Sequence, residues 1–511
     1  MKSKSHRSNF LSKAFPCSIT LTLLAAMPAA RAADGTWTGG TSATWATTTN
    51  WLGGTVAGSL SANADIATFN LPSYTTPFFA PTAVNDYFVG GLIFGASSGP
   101  ITMSTGGGNS RLNVGSSGIQ MDGGSGAVII GSALAHGINF VANQSWTNNS
   151  SSLLSVSRAG VDSLAAVGTY TLTINGSGSG GVTVSSNLAD VNILADANRK
   201  TAVIINSSGG ATNFNASSTY SGGTTLTAGL LQIGGNSAGT VGAITTSNLG
   251  TGSLALNGGT LSSGSGAART ILNATTIGGN VTLGNASNNG VLTLAANVGL
   301  SAGTRTLTTA SNVVFAGVVS NGDIIKEGAG TLALNANSST VAVAVNSGTL
   351  AGTGTVGATS IATGNLSIGA LAGGVGAMNY TSLSLGSAST FIYQMTGGGI
   401  TADLGDIAGA LTINTSAILD LVELGTYTAG NKFTLFAYDG LLTGNFSGLL
   451  DGANFTDDLA NSWVIDYNDT SNGLNGGAGT SFVTITAIPE PNAAALLGGL
   501  GMLALLRRRR A

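Results

Sequence analysis

Charge is what this chain has least of. Charged residues make up 7% of its 511 positions, against about 25% in ordinary globular proteins. Together with a mean hydropathy of +0.34, this excludes a solvated disordered chain, which needs low hydrophobicity and high charge. Such a chain must bury its backbone by pairing. No acid lies between Asp196 and Asp323, and none between Glu327 and Asp403. The formal net charge of −3 hides an asymmetry: five of the 17 basic residues lie at positions 1–32 and four at 507–510, whereas all 20 acids lie between. Positions 33–506 therefore carry about −12, which repels phosphate backbones and anionic headgroups, so nucleic acid is not expected as a partner. Cys17 is the single cysteine, and the histidines are only His6 and His136. Disulfides, thiolate metal sites and multi-histidine metal sites are excluded in a chain cleaved after Ala32.

That cleavage is expected from the N-terminus. Lys2, Lys4, Arg7 and Lys13 form a basic n-region, positions 17–27 an apolar h-region, and Ala30-Arg31-Ala32 an A-x-A site before Ala33. This is the pattern of a secretory signal peptide, with signal peptidase as the processing partner. The other end has three parts: Pro489-Glu490-Pro491, an apolar run at 493–506, and Arg507-Arg508-Arg509-Arg510. A helix over 492–506 would be roughly 22 Å long, short against a hydrocarbon core of about 30 Å but long enough to lodge in a membrane. The arginines would hold its end in the cytoplasm. This tail resembles the PEP-CTERM sorting signal of Gram-negative bacteria that make exopolysaccharide. The resemblance implies a transient membrane anchor processed near the Pro-Glu-Pro by an exosortase-like enzyme. An ordinary C-terminal anchor and a buried helix are the alternatives.

Between the ends the chain speaks in short phrases. Thr219-Tyr220-Ser221-Gly222-Gly223-Thr224-Thr225-Leu226 is followed by Ala228-Gly229-Leu230-Leu231-Gln232-Ile233, with Leu226/Leu230 and Leu231/Ile233 as alternating apolar positions. Related phrases recur at 252–261, 330–335, 346–350 and 382–386, at irregular multiples of roughly 20 residues. No stretch before the tail has the period, length and caps of a helix. Strands this short do not bury a face alone, whereas stacked as coils of a parallel β-helix they pair with the coil above and below. Glycine would supply the tight corners, and Asn and Ser would form ladders there. The expected fold is therefore all-β: a parallel β-helix (β-solenoid) with a C-terminal β section and one short C-terminal transmembrane helix. A β-sandwich is the alternative; the aromatic content of 6% and the absence of charged outward faces at 328–402 argue against it.

Tyr220 to Ile233 resembles the autotransporter-associated β-strand repeat, a passenger-type motif, and 324–332 is similar to the segment that usually precedes one. Trp37, Trp45 and Asn50-Trp51, with positions 64–69, resemble the opening of such exported repeat proteins. We read 33–205 as the first part of the solenoid with a tryptophan cap, 206–400 as the repeat shaft, and 401–487 as the C-terminal β section, in which Phe433, Leu435 and Ala437 alternate with Thr434, Phe436 and Tyr438. Trp463 to Tyr467 and Phe482 to Ile485 are expected as its last strands. Roughly 450 residues at about 20–25 per coil predict some 20 coils.

Candidate chemistry is sparse. A Ser-His-Asp triad would have to be built on His136, whose neighbours read as a turn. Gly235-Asn236-Ser237-Ala238-Gly239 has the letters of a nucleophile elbow without a strand-to-helix context, and Gly352-Thr353-Gly354-Thr355-Val356-Gly357 those of a dinucleotide fingerprint without an acid twenty residues on. Both read as solenoid corners. Asp403/Asp406, Asp420/Glu423, Asp457/Asp458 and Asp466/Asp469 are the carboxylate pairs that a glycosidase or a weak structural calcium site would use; no other cofactor is expected. Acids beside glycine, as in Asp439-Gly440 and Asp451-Gly452, are more ordinarily turn formers. The expectation is a non-enzymatic exported protein of the cell surface or extracellular matrix. Its expected partners are extracellular polysaccharide or like rods, with polysaccharide binding or degradation as the alternative.

Overall fold

The computed structural model describes residues 33–59, 64–74, 78–79, 87–105, 112–131, 138–161, 166–191, 198–369, 371, 373–396, 401–424 and 427–488. Among them there is no α-helix. Two short 3-10 turns, Thr48–Asn50 and Leu52–Gly54, interrupt an otherwise all-β chain. All the strands except the hairpin Ala238–Thr240 with Ala243–Thr246 join one long sheet that is parallel nearly throughout, as in a β-solenoid.

Pairing resolves into three columns. In the first, Thr224–Ala228 lies on Leu254–Leu256, which lies on Thr275–Ile277, which lies on Val298–Thr309. A second column runs Val182–Val184, Thr212–Phe214, Leu230–Ile233, Thr260–Ser263 and Val281–Leu283. A third runs Arg269–Ile271, Leu292–Leu294, Val313–Phe315, Thr331–Leu334 and Thr349–Gly352. The chain visits the columns in turn, so each coil supplies three short strands separated by corners. Later strands lengthen and bend through all three columns: Thr355–Ile368 and Ala377–Thr396 pair in register along almost their full lengths.

Register places like on like. Leu254, Leu256, Ile277, Leu292, Leu294, Phe315, Leu332 and Leu334 all point inward and are buried, while Thr225, Ala255 and Thr293 between them are partly exposed. Each strand thus shows period two and each column repeats it every coil. This explains the irregular recurrence of the sequence phrase. Leu254–Leu256 belongs to the first column, the 331–334 and 349–352 copies to the third, and the 382–386 copy to the second, where Leu383 and Leu385 meet Leu411 and Ile413. The phrase marks one strand and its corner, not one coil.

Coil length also differs from expectation. Register partners lie roughly 16–32 residues apart, the longest at Gly35–Ala67 and the shortest at Val343–Thr359 and Leu350–Leu366. The first column therefore holds twelve strands from Gly35–Thr36 to the start of Val319–Glu327, then five more from Asn337–Ser338 to Lys432–Tyr438, fewer than twenty coils. The pair Leu226/Leu230 is likewise corrected. Gly229, at φ +87, turns a corner between Thr224–Ala228 and Leu230–Ile233, so Leu231 and Ile233 are buried and Leu230 is not.

Both ends are closed by aromatics. Trp37, Trp45 and Trp51 pack with ring centroids 4.9–5.9 Å apart, and Phe69 and Phe94 continue the stack into the next two coils. Trp45 Nε1 donates to Ala57 O and Trp51 Nε1 to Trp45 O, so neither indole is buried at the cost of its donor. At the far end the pairing turns antiparallel: Ser481–Ile488 lies between Lys432–Tyr438 and Ser462–Asp469, with Asn454–Thr456 outside. The alternation expected at 433–438 is absent, because all six residues are buried. Phe436 stacks on Phe391 and Phe446. Phe433 faces Tyr427 and Trp463, so the strand has core on both faces.

Candidate functional site

Most of the described acids are spent on backbone. Asp323 Oδ1 accepts from Ala342 N, Asp190 Oδ1 from Thr201 N and Ser221 N, Asp34 Oδ1 from Ile66 N, Asp439 Oδ1 from Thr480 N and Asp451 Oδ1 from Tyr467 N. Asparagines do the same at corner after corner: Asn280, Asn297, Asn312 and Asn335 each accept an N–H from the following coil. The expected asparagine ladder is thus mainly a brace from side chain to the next backbone. It satisfies amide donors where strands are too short to pair at the corners.

Most acids of the expected carboxylate pairs are engaged by neighbouring donors. Asp406 Oδ2 accepts from Ala478 N. Asp457 is consumed by Leu459 N, Asn461 and Trp463 Nε1, while Asp458 is exposed. Asp466 Oδ1 accepts from Asn468 N. Asp469 is bonded to Lys432 Nζ at 2.9 Å and to Ser471 and Thr484; burial pushes its pKa up, but these bonds outweigh that and hold it at about 2. Asp420 lies on the strand Ile418–Leu424 and is partly exposed. Among the described residues no group of three or more His, Cys, Asp or Glu converges to hold a metal. Ser237, in the elbow-like string, bonds Ser247 Oγ and precedes an exposed hairpin, Ala238–Thr240 with Ala243–Thr246. The fingerprint-like string spans the corner between Thr349–Gly352 and Thr355–Ile368.

Three charged residues are buried, Asp65, Lys326 and Asp403, and the last two are fully enclosed. Lys326, which composition alone would place on the surface, is fully buried, its neighbours in register being Leu307 and Val345. Its ammonium donates to Glu327 O, Gly328 O and Ser347 O at 2.7–3.1 Å. Burial lowers its pKa to about 8, partly opposed by the Glu327 charge. Gly348 makes room for it: a Cβ there would lie 2.6 Å from Nζ. Asp403 is the acidic counterpart, fully buried, with Oδ1 accepting from Gly376 N and Oδ2 from Gln394 N at 3.0 Å. Desolvation outweighs those two bonds and raises its pKa to about 7.

The resembling repeat phrase has a local cause. Tyr220 is buried, its hydroxyl 2.6 Å from Thr224 Oγ1, which donates in turn to Leu249 O in the next coil. Burial pushes the Tyr220 hydroxyl far up, against the bond to Thr224.

Outside, one shallow groove of about 380 Å³ runs along the second column, where Ile325, Ala344, Ser360 and Ser384 follow one another over Thr304 and Asp323. Its floor is small and uncharged apart from Asp323, and no aromatic ring lines it. A second, of about 330 Å³, lies between the exposed hairpin, through Val241 and Ile244, and the corners at Leu272, Ala274 and Ala296. Pro489, Glu490, Pro491, Arg507, Arg508, Arg509 and Arg510, the cleavage residues Ala30 and Ala32, and His136 lie outside the described residues; Ala33 is exposed. Among the described residues no helix is long and apolar enough to cross a membrane, and the one expected at 492–506 falls outside them. The chain matches no family model, no curated protein and no solved structure.

Proposed function

We propose that this chain is a non-enzymatic exported β-solenoid of the cell surface or extracellular matrix of a Gram-negative bacterium. In this reading signal peptidase cuts before Ala33, and the PEP-CTERM-type tail, with its transmembrane helix and arginines, carries the protein to an exosortase-like enzyme. The observation that carries the non-enzymatic part is the use of acids: Asp190, Asp323, Asp403, Asp439, Asp451 and Asp457 hold backbone donors, which leaves no free carboxylate pair for acid–base work among them. The outward Thr and Ser, such as Thr225, Thr293, Ser360 and Ser384, favour many weak hydrogen bonds to exopolysaccharide or to like rods, and repetition multiplies weak contacts.

The groove over Ile325, Ala344, Ser360 and Ser384 favours a second reading, a polysaccharide-binding solenoid. A polysaccharide-degrading one would need clustered acids that this groove lacks.

The test is intact mass and fractionation of the native protein from a producing cell. A product from about Ala33 to near Pro489 outside the cells is expected. A product retaining Arg507 to Arg510 in the membrane fraction overturns processing, and unchanged release after replacing Pro489, Glu490 and Pro491 with alanine overturns the sorting role.

A further inference from the structure

The junction between the shaft and the C-terminal section is held by an unusual set of buried polar groups. Asp403 enters the last coil just before the strand Leu404–Ile407. Its side chain ties back to the strand Ala377–Thr396 through Gln394 N and to the preceding turn through Gly376 N. Its backbone carbonyl accepts from Asn475 Nδ2, and that same nitrogen bonds Tyr393 Oη and Thr434 O. Tyr393 Oη donates to Thr434 O at 2.8 Å. Asn475 therefore links three pieces of chain separated by 41 to 82 residues.

No cation faces this carboxyl among the described groups. Tyr380 and Tyr393 are buried beside it, and both hydroxyls are pushed well up, by burial first and by the Asp403 charge second. Tyr380 Oη has no hydrogen-bond partner, and Tyr427 adds to the push on Tyr393. Asp406, on the following strand, is tied to Ala478 N. On Lys432–Tyr438, the basic residue is engaged with Asp469, and Tyr438 Oη donates to Tyr467 O. A buried carboxylate without a counter-charge is costly, and opening to water relieves that cost.

From this arrangement we infer that Asp403 is the proton-operated latch of the junction: protonated, it holds the C-terminal section closed on the shaft, and ionised, it loosens that section. The sign follows from linkage. A carboxyl whose pKa rises on folding to about 7 stabilises fully below the ordinary carboxylate range, and this contribution is lost as pH rises through 7. The shaft has no equivalent acid: Asp323 and Glu327, its two carboxylates between positions 206 and 400, are only partly buried. The loosening is therefore confined to the end of the rod.

Hydrogen exchange of the mature chain between pH 5 and 9 tests this. Beyond the ordinary base catalysis of exchange, protection of the Gly376 and Gln394 amides, and of amides at 431–436 and 473–479, is expected to fall about tenfold per pH unit from pH 5 up to about 7 and to level off above it. Amides of Leu292–Leu294 are expected to follow base catalysis alone. Asp403→Asn should abolish the extra loss. Because that variant leaves an amide facing an N–H and risks misfolding, the wild-type carboxyl is also followed directly by its infrared band, which should persist to near-neutral pH. A carboxyl titrating below pH 5 overturns the latch. So does one that titrates near neutrality while junction protection follows base catalysis.

Discussion

The shaft and the C-terminal section solve one problem, burying a backbone with almost no charge, in opposite ways. In the shaft the column strands pair with the coil before and after. Val313–Phe315 touches Leu292–Leu294 on one side and Thr331–Leu334 on the other, and the asparagine braces span 18 to 34 residues. Beyond residue 401 the partners are remote: Asn475 reaches back 82 residues to Tyr393, and Ser481–Ile488 turns antiparallel to close the sheet. The shaft grows by repetition and is nearly one-dimensional. The end section continues the parallel columns as far as Leu442–Gly444 and closes with antiparallel strands, around an aromatic core that Phe391, Phe436 and Phe446 share with the last full coil. An open solenoid needs such an ending, because its last coil would otherwise offer unpaired strand edges.

The sharpest way to break this contrast is to hollow each region in turn. Trp463→Ala removes a ring that packs against Tyr427 and Phe433 and should cost about 3–5 kcal/mol. Exchange protection is expected to vanish together over 432–488 and to persist at 292–315. Uniform loss along the whole chain would mean that the two regions are one cooperative unit. Leu292→Ala, in the middle of the shaft, should cost about 2–5 kcal/mol, with protection lost mainly in the coils immediately above and below. Loss at the Trp37 cluster as well would deny the shaft its one-dimensional character.

The smallest effect sharpens the comparison through pH. Lys326 has a pKa lowered by burial to about 8, so the unfolded chain holds this proton more tightly, and stability rises as pH climbs from 8 toward the ordinary lysine range. Thermal unfolding should show this upward slope, opposite in sign to that of Asp403, and Lys326→Met should flatten it. An unchanged slope in the variant would assign it elsewhere.

The strands were legible in the sequence because period two survives in three-residue pieces: Leu254/Leu256 and Leu332/Leu334 announce an inward face without help from neighbours. The absence of any helix over the described residues was legible for the same reason. Column membership was not. Corners of variable length put identical phrases on different columns, and spacing alone does not say how far the chain has turned. The double-sided burial of Phe433 to Tyr438 was also hidden, because it depends on Trp463 and Phe391, each some thirty or more residues away. Lys326 and Asp403 misled for a simpler reason. Charge normally reads as surface, and nothing near Lys326 in sequence announces that Ser347 O, twenty-one residues on, will complete its set of acceptors. Paired letters such as Asp403 and Asp406 likewise suggested shared chemistry, whereas backbone donors from different parts of the chain claim each one.

The last described strand has a mechanical meaning. Ser481–Ile488 is laced to a neighbour on each side, and its final residue, Ile488, still pairs with Ser462. A load pulling on the chain beyond it along the strand axis would shear both ladders at once instead of peeling them bond by bond. The rod would then be strongest in tension at its C-terminal end.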